Sequence, residues 1–213
     1  MSPQGELLKI WYRRPKCIVG VIHLPPLPHY ASSRGLKSVI DKALADQSAL
    51  EEGGIHGILV ENEDDQPHEV KASAATTAVM TRVAHEMVRA ARTAKVGVEI
   101  LLNDPKASLS AALGSGACFI RTDYFVDRME RPEYGGEMEI DARGLMDFRH
   151  RIGGDGIAVF ADVQVKYARM IEPRPLAESA RLAREHRADA IVVTGTRTGE
   201  PPSLDDVRQA KAG

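Results

Sequence analysis

The sequence predicts an α/β protein built from repeated strand–helix units. Three observations lead there. Short apolar runs alternate with segments of helical periodicity about six times along the chain, the pattern of βαβ units. The runs are nearly continuous in apolar residues, as strands are when helices cover a parallel sheet. Polar and ionisable residues gather where the runs end: His23, Glu61, Asn103, Arg121, Asp123, Asp162 and Thr194. Two architectures share these features, a (β/α)8 barrel and an open doubly wound sheet. The open sheet most often carries a Gly-rich turn after its first strand. Here that turn is His23-Leu24-Pro25-Pro26-Leu27-Pro28.

The elements follow in order. Cys17–Leu24 is the first strand, stopped by prolines that cannot continue a ladder. Val39, Ile40, Ala43, Leu44 and Leu50 give Leu36–Glu52 a helical spacing, and Gly53-Gly54 ends it. Gly57–Asn62 is the second strand, and the acidic run Glu63-Asp64-Asp65 after it is expected to be a solvated loop that could join a metal site. A helix is expected over Ser73–Thr93 and a strand over Lys95–Leu102. Asn103-Asp104-Pro105 opens the next helix with an N-cap followed by proline, and Gly114-Ser115-Gly116 closes it. Phe119–Asp123 is the fourth strand, and Tyr124–Glu139 reads as a long loop, a feature often tied to function. A helix over Asp141–Ile152 leads to the fifth strand, Ala158–Lys166. Helix Leu176–His186, strand Ala190–Gly195 and helix Leu204–Ala212 complete the series.

Composition bounds the function. The chain has 213 residues, enough for one sizeable core, so a single domain over 1–213 is expected. Its net charge of −2 lacks the basic excess of a general nucleic-acid binder. The two cysteines, Cys17 and Cys118, each open an apolar run and read as buried thiols, with no metal-type pair and no disulfide framework. Met1–Ile10 lacks the apolar core of a secretory signal. No apolar run approaches the roughly 20 residues that cross a bilayer. The expected compartment is the cytoplasm, and the expected partner is a small-molecule substrate, with room for a homo-oligomer.

Alternation sorts the side chains within each strand. In the fifth strand Val159, Ala161, Val163 and Val165 share one side, and Phe160, Asp162, Gln164 and Lys166 the other. Three polar groups in a row on a buried face need partners or a ligand. The same rule turns Glu99 and Asn103, and Arg121 and Asp123, to the inside of their strands. Glu99 lies deepest and is expected to pair with Arg121 or Lys166. Glu61 and Asp162, at strand ends, are expected to act on substrate. Arg13, Arg14, Arg128 and Arg131 read as surface charges, whereas Arg197, after the sixth strand, is placed to reach an anionic ligand.

The ordered motifs Val21-Ile22-His23-Leu24-Pro25-Pro26-Leu27-Pro28, Glu51-Glu52-Gly53-Gly54, Leu59-Val60-Glu61-Asn62, Asn103-Asp104, Phe119-Ile120-Arg121, Phe160-Ala161-Asp162-Val163 with Lys166, and Thr194-Gly195 with Thr198-Gly199-Glu200-Pro201 resemble the BtpA/SgcQ family over nearly the whole chain. The resemblance implies a TIM (β/α)8-type barrel. It also implies a link to photosystem I biogenesis, through the cyanobacterial founding member, or to sugar utilisation, through bacterial relatives. Two departures stand out. Many members carry His where Gln164 stands. The family continues with further strand, whereas this chain reaches Gly213 after about six units. The expectation is a barrel lacking its C-terminal strands, or one closed by a partner.

Together these readings name an enzyme, of isomerase, lyase or hydrolase class, for a sugar, sugar phosphate or nucleoside-like compound. It would use acid/base or metal-assisted chemistry. Glu61, Asp162, Lys166 and Asp123 are the candidate catalytic residues. His23, Asn103, Arg121, Gln164, Thr194 and Arg197 are the candidate substrate-binding residues. A carboxylate pair with His23 has the donor types for a divalent metal, and Lys166 could instead form a Schiff base. The alternative is a noncatalytic photosystem I assembly factor.

Overall fold

A computed structural model describes residues 16–213. The readings made for Met1–Ile10 and for Arg13 and Arg14 lie outside the described residues. The chain forms two compact units. The first holds the described residues up to Arg121 together with Arg149–Ala158, and the second holds Thr122–Phe148 and Val159–Gly213.

In the first unit, β1 (Val19–His23), β2 (Gly57–Glu61), β3 (Lys95–Glu99) and β4 (Phe119–Thr122) pair in parallel and in chain order. Helices α1 (Leu36–Glu52), α2 (Ala74–Ala90) and α3 (Pro105–Ser115) make the crossovers. Their starts are set locally. Ser73 caps α2 by accepting from the Thr76 N–H, and Asp104 caps α3 by accepting from the Ala107 N–H with Pro105 in the first turn. Gly116 ends α3 at φ 82°, a conformation that glycine adopts without a Cβ penalty. Ile22, Ile58, Val60, Val98 and Ile120 are buried, as are Val39 of α1, Met80 and Met87 of α2 and Leu109 of α3. On the opposite strand faces Gly97 is paired with Phe119, and a Cβ on Gly97 would lie 2.3 Å from the Phe119 ring. Glycine at that position makes room for the ring.

The second unit pairs β7 (Ala158–Val163) in parallel with β9 (Ala190–Val193), and carries α5 (Leu176–Glu185) and α6 (Leu204–Ala212). A capping box between Ser203 and Asp206 starts α6. Helix α4 (Ala142–Arg151) runs from this unit into the first. The segment read as a long loop is partly ordered: β5 (Met129–Arg131), a 3-10 turn (Pro132–Tyr134) and β6 (Gly136–Glu137) lie within it. With β8 (Arg169–Met170) they form an antiparallel sheet in the order β6-β5-β8. Strands of two and three residues offer no alternation to read, which is why sequence reasoning missed them.

β3 and β7 each stop three residues earlier than expected. β3 ends at Glu99 because the next N–H groups turn to side chains: Ile100 N–H donates to Ser108 Oγ and Leu101 N–H to Asn62 Oδ1. β7 ends at Val163 because Gln164 adopts φ 49° and donates its N–H to Asp127 Oδ2. Strand alternation therefore does not orient Asn103, Gln164 or Lys166, and the shared polar face drawn through Asp162, Gln164 and Lys166 is corrected.

Candidate functional site

The parallel register brings ionisable residues level with one another in the first unit. His23 is paired with Glu61, and Glu61 with Glu99, at the last positions of β1, β2 and β3. Arg121, two residues beyond Phe119 on β4, reaches both acids: its guanidinium lies 3.2 Å from Glu61 Oε1 and 3.6 Å from Glu99 Oε2. His23 Nε2 lies 3.4 Å from the other Glu61 oxygen, Oε2. The acids are buried, whereas 47% of the His23 side chain is exposed. Water and small solutes therefore reach the cluster from the His23 side.

These contacts fix the charges. Burial pushes the Glu61 carboxyl up, but the hydrogen bonds of His23 and Glu99 and the charge of Arg121 outweigh it and hold the group below the usual carboxylate range. The His23 imidazole is raised, first by its hydrogen bond to Glu61, against the opposing effect of burial, and further by the charges of Glu61, Glu63 and Asp64. The cluster thus couples an ionised buried carboxylate to an accessible imidazole, and it can hold a cation or exchange a proton.

The acidic run after β2 is not uniformly solvated, and that expectation is corrected for Asp65, which is fully buried. Its Oδ1 accepts from the Leu27 N–H at 2.8 Å and its Oδ2 from Asn62 Nδ2 at 3.0 Å. Burial dominates its titration and raises it. Asn62 Oδ1 accepts from the Leu101 N–H at 2.8 Å. Asn62 and Asp65 thus pin the loop that carries Glu63, and the donor atoms of His23, Glu61 and Glu63 all lie within 4.8 Å of one another. Asn103 is buried: its N–H donates to Val70 O, and its carbonyl accepts from Lys71 Nζ at 3.2 Å.

The remaining expected residues belong to the second unit. Asp162 is buried at the end of β7, and Asp123 is half-buried after β4. The Gln164 amide donates to Arg174 O at 3.0 Å and to Ser179 Oγ at 3.1 Å. Ser179 Oγ donates in turn to Asp127 Oδ1 at 2.6 Å, and Arg174 Nε lies 3.6 Å from that oxygen. Gln164 is thereby part of a buried bracing network. Asp127, Arg174 and Ser179 escaped sequence reasoning because they are far apart in the chain and carry no local motif. Lys166 donates its backbone N–H to Thr194 Oγ1 at 3.2 Å, and its ammonium lies 6.0 Å from the Tyr167 ring centroid. Arg197 is exposed. Arg131 is not a free surface charge: it lies over the Tyr134 ring, pairs with Glu133 and donates to Tyr124 Oη.

Among the described residues no helix is long and apolar enough to cross a membrane. A family model described as the BtpA family matches residues 14–213. An uncharacterised protein of Archaeoglobus fulgidus is 34% identical over 196 residues, which cover 92% of this chain and 77% of that protein. The photosystem I biogenesis protein BtpA of Synechocystis is 35% identical over 196 residues, covering 91% of this chain and 67% of that protein. Among solved structures, a protein of Burkholderia cenocepacia J2315 provisionally assigned as a phosphonomutase aligns with a TM-score of 0.53 at 14% identity, over 99% of this chain and 88% of that one. At that identity the likeness shows the fold alone, an α/β architecture of the TIM-barrel kind. With the family model matched from residue 14 onward and relatives above 30% identity, the chain belongs to the BtpA family.

Proposed function

We propose that the chain is an enzyme acting on a small polar metabolite, a sugar, sugar phosphate or nucleoside-like compound, by acid/base or metal-assisted chemistry at the C-terminal ends of its strands. The observation that carries this reading is Glu61, a buried carboxylate kept ionised beside the accessible His23 and under Arg121. Burying charge is costly unless it is paired, and here the pairing leaves one carboxylate oxygen turned toward a solvent-reachable imidazole. In this reading Glu61 is the central catalytic group, His23 meets the substrate, and Arg121 orients Glu61 and supplies positive charge. Asp123, Asp162 and Lys166 are proposed as further catalytic residues, with Asn103, Thr194 and Arg197 for binding. The proposed compartment is the cytoplasm.

The test is a panel of sugars, sugar phosphates and nucleosides, read by thermal stabilisation and by mass-spectrometric turnover. The wild type is expected to be stabilised and to convert at least one compound. Glu61→Gln, with an unchanged far-UV spectrum, is expected to lose turnover by about a hundredfold or more, the scale of removing one acid/base group. A wild-type protein neither stabilised nor active across the panel overturns the proposal.

A second reading is favoured by one observation, the 35% identity to a protein named for photosystem I biogenesis. In it the chain is a noncatalytic assembly factor. A cyanobacterial strain lacking its own relative separates the two. Recovery of photosystem I by wild type and Glu61→Gln alike supports assembly without catalysis, and no recovery by either removes that reading.

A further inference from the structure

We propose that His23, Glu61 and Glu63 form a binding site for a first-row divalent cation at the C-terminal ends of β1 and β2. This rests on the enzymatic reading only for what the cation would do there. The site itself stands on geometry.

The three donor atoms lie within 4.8 Å of one another. Ligands bound at about 2.0–2.2 Å in a tetrahedral site sit about 3.3–3.6 Å apart, so closure asks for side-chain shifts on the order of an ångström. The exposed His23 and half-buried Glu63 side chains can supply them. The set of one imidazole nitrogen and two carboxylates suits Zn2+ or Mn2+; Mg2+ and Ca2+ prefer oxygen alone.

The donors are also held from behind. Arg121 takes Glu61 Oε1, which leaves Oε2, the oxygen facing His23, as the ligand atom. Such outer contacts orient the ligands of metal sites. His23 and Glu61 are fixed by strand pairing, reinforced by the bond from Leu24 N–H to Glu61 O at 2.8 Å. Glu63 is flanked by Asn62 and Asp65, whose side chains are buried and bonded to Leu101 N–H and Leu27 N–H. Three protein ligands leave coordination positions for water and a substrate oxygen, as catalytic sites do and closed structural sites do not. A cation here would polarise a substrate oxygen, which places the chemistry on the metal-assisted side.

A plain His23–Glu61 ion pair has no use for Glu63, and this separates the two accounts. The experiment uses the untagged 213-residue chain, stripped with chelator, titrated with Zn2+ by calorimetry and with Mn2+ by electron paramagnetic resonance. Wild type is expected to bind one equivalent. Glu63→Gln and His23→Ala are each expected to weaken binding at least tenfold, while Asp41→Asn, in an exposed pair with Lys37, leaves it unchanged. Failure to bind one equivalent, or binding unaltered by both Glu63→Gln and His23→Ala, overturns the site. Binding as expected with no turnover of any metabolite retains the site and removes the enzymatic reading. Turnover by a stripped protein that binds neither ion does the reverse.

Discussion

At the scale of single residues, Arg121 lies against two buried acids. It is the cation placed between Glu61 and Glu99. Arg121→Met leaves those buried carboxylates without it. Removing one partner of a buried ion pair costs about 3–5 kcal/mol, and urea unfolding is expected to show a loss of that size. Little or no loss would mean that the acids are neutral in the fold. Arg121 was legible as one of two partners offered to Glu99, the other being Lys166, because Glu99 and Arg121 both belong to regular strands where alternation holds. Asp65 was not legible. Its neighbours Glu63 and Asp64 make it look like one more solvated acid, and only the bond from Leu27 N–H, contributed from 38 residues away, explains its burial.

At the scale of elements, the helices could be read closely because their ends are marked by local chemistry: Ser73, Asp104 with Pro105, Gly116 and Ser203. Strand ends carry no such marks. β3 and β7 stop where side chains from elsewhere capture their N–H groups, Ser108 and Asn62 for one and Asp127 for the other. That is long-range information, and it is why strand alternation could not orient Asn103 and Gln164. The β3–β4 contact offers a sharp test. Gly97→Ala pushes a methyl into the Phe119 ring and is expected to cost about 1–3 kcal/mol, the usual range for overpacking a close-packed core. Phe119→Leu in the same chain should return part of that loss. An alanine variant as stable as wild type would show that the ring can move aside.

At the scale of the whole molecule, stability in acid is expected to depend on Glu51. Its side chain is 3% exposed and ties the end of α1 to the turn after α2. One carboxylate oxygen accepts from the N–H groups of Arg92, Thr93 and Ala94, at 2.9, 2.8 and 3.0 Å. Burial raises its titration, but these bonds and the Arg92 side chain bring it below the ordinary 4.5. The unfolded chain therefore binds this proton first as pH falls. Stability from Glu51 is complete above 4.5 and drains away below it, toward the lower value of the fold. Melting temperatures from pH 6 down to pH 3 should fall less steeply in Glu51→Gln, from a lower starting point. Parallel curves would exclude Glu51 as a source of acid sensitivity.

The small sheet of β6, β5 and β8 has a consequence for motion. It joins the segment after β4 to the segment after β7, and ion pairs of Arg128 with Glu137 and Glu172 and of Arg169 with Glu130 rivet its members together. Two excursions are thereby joined by backbone pairing into one sheet, with Lys166 just ahead of its edge. Amide exchange at residues 129–131, 136–138 and 169–171 should then report a single shared opening, and a small molecule that quiets one strip should quiet all of them.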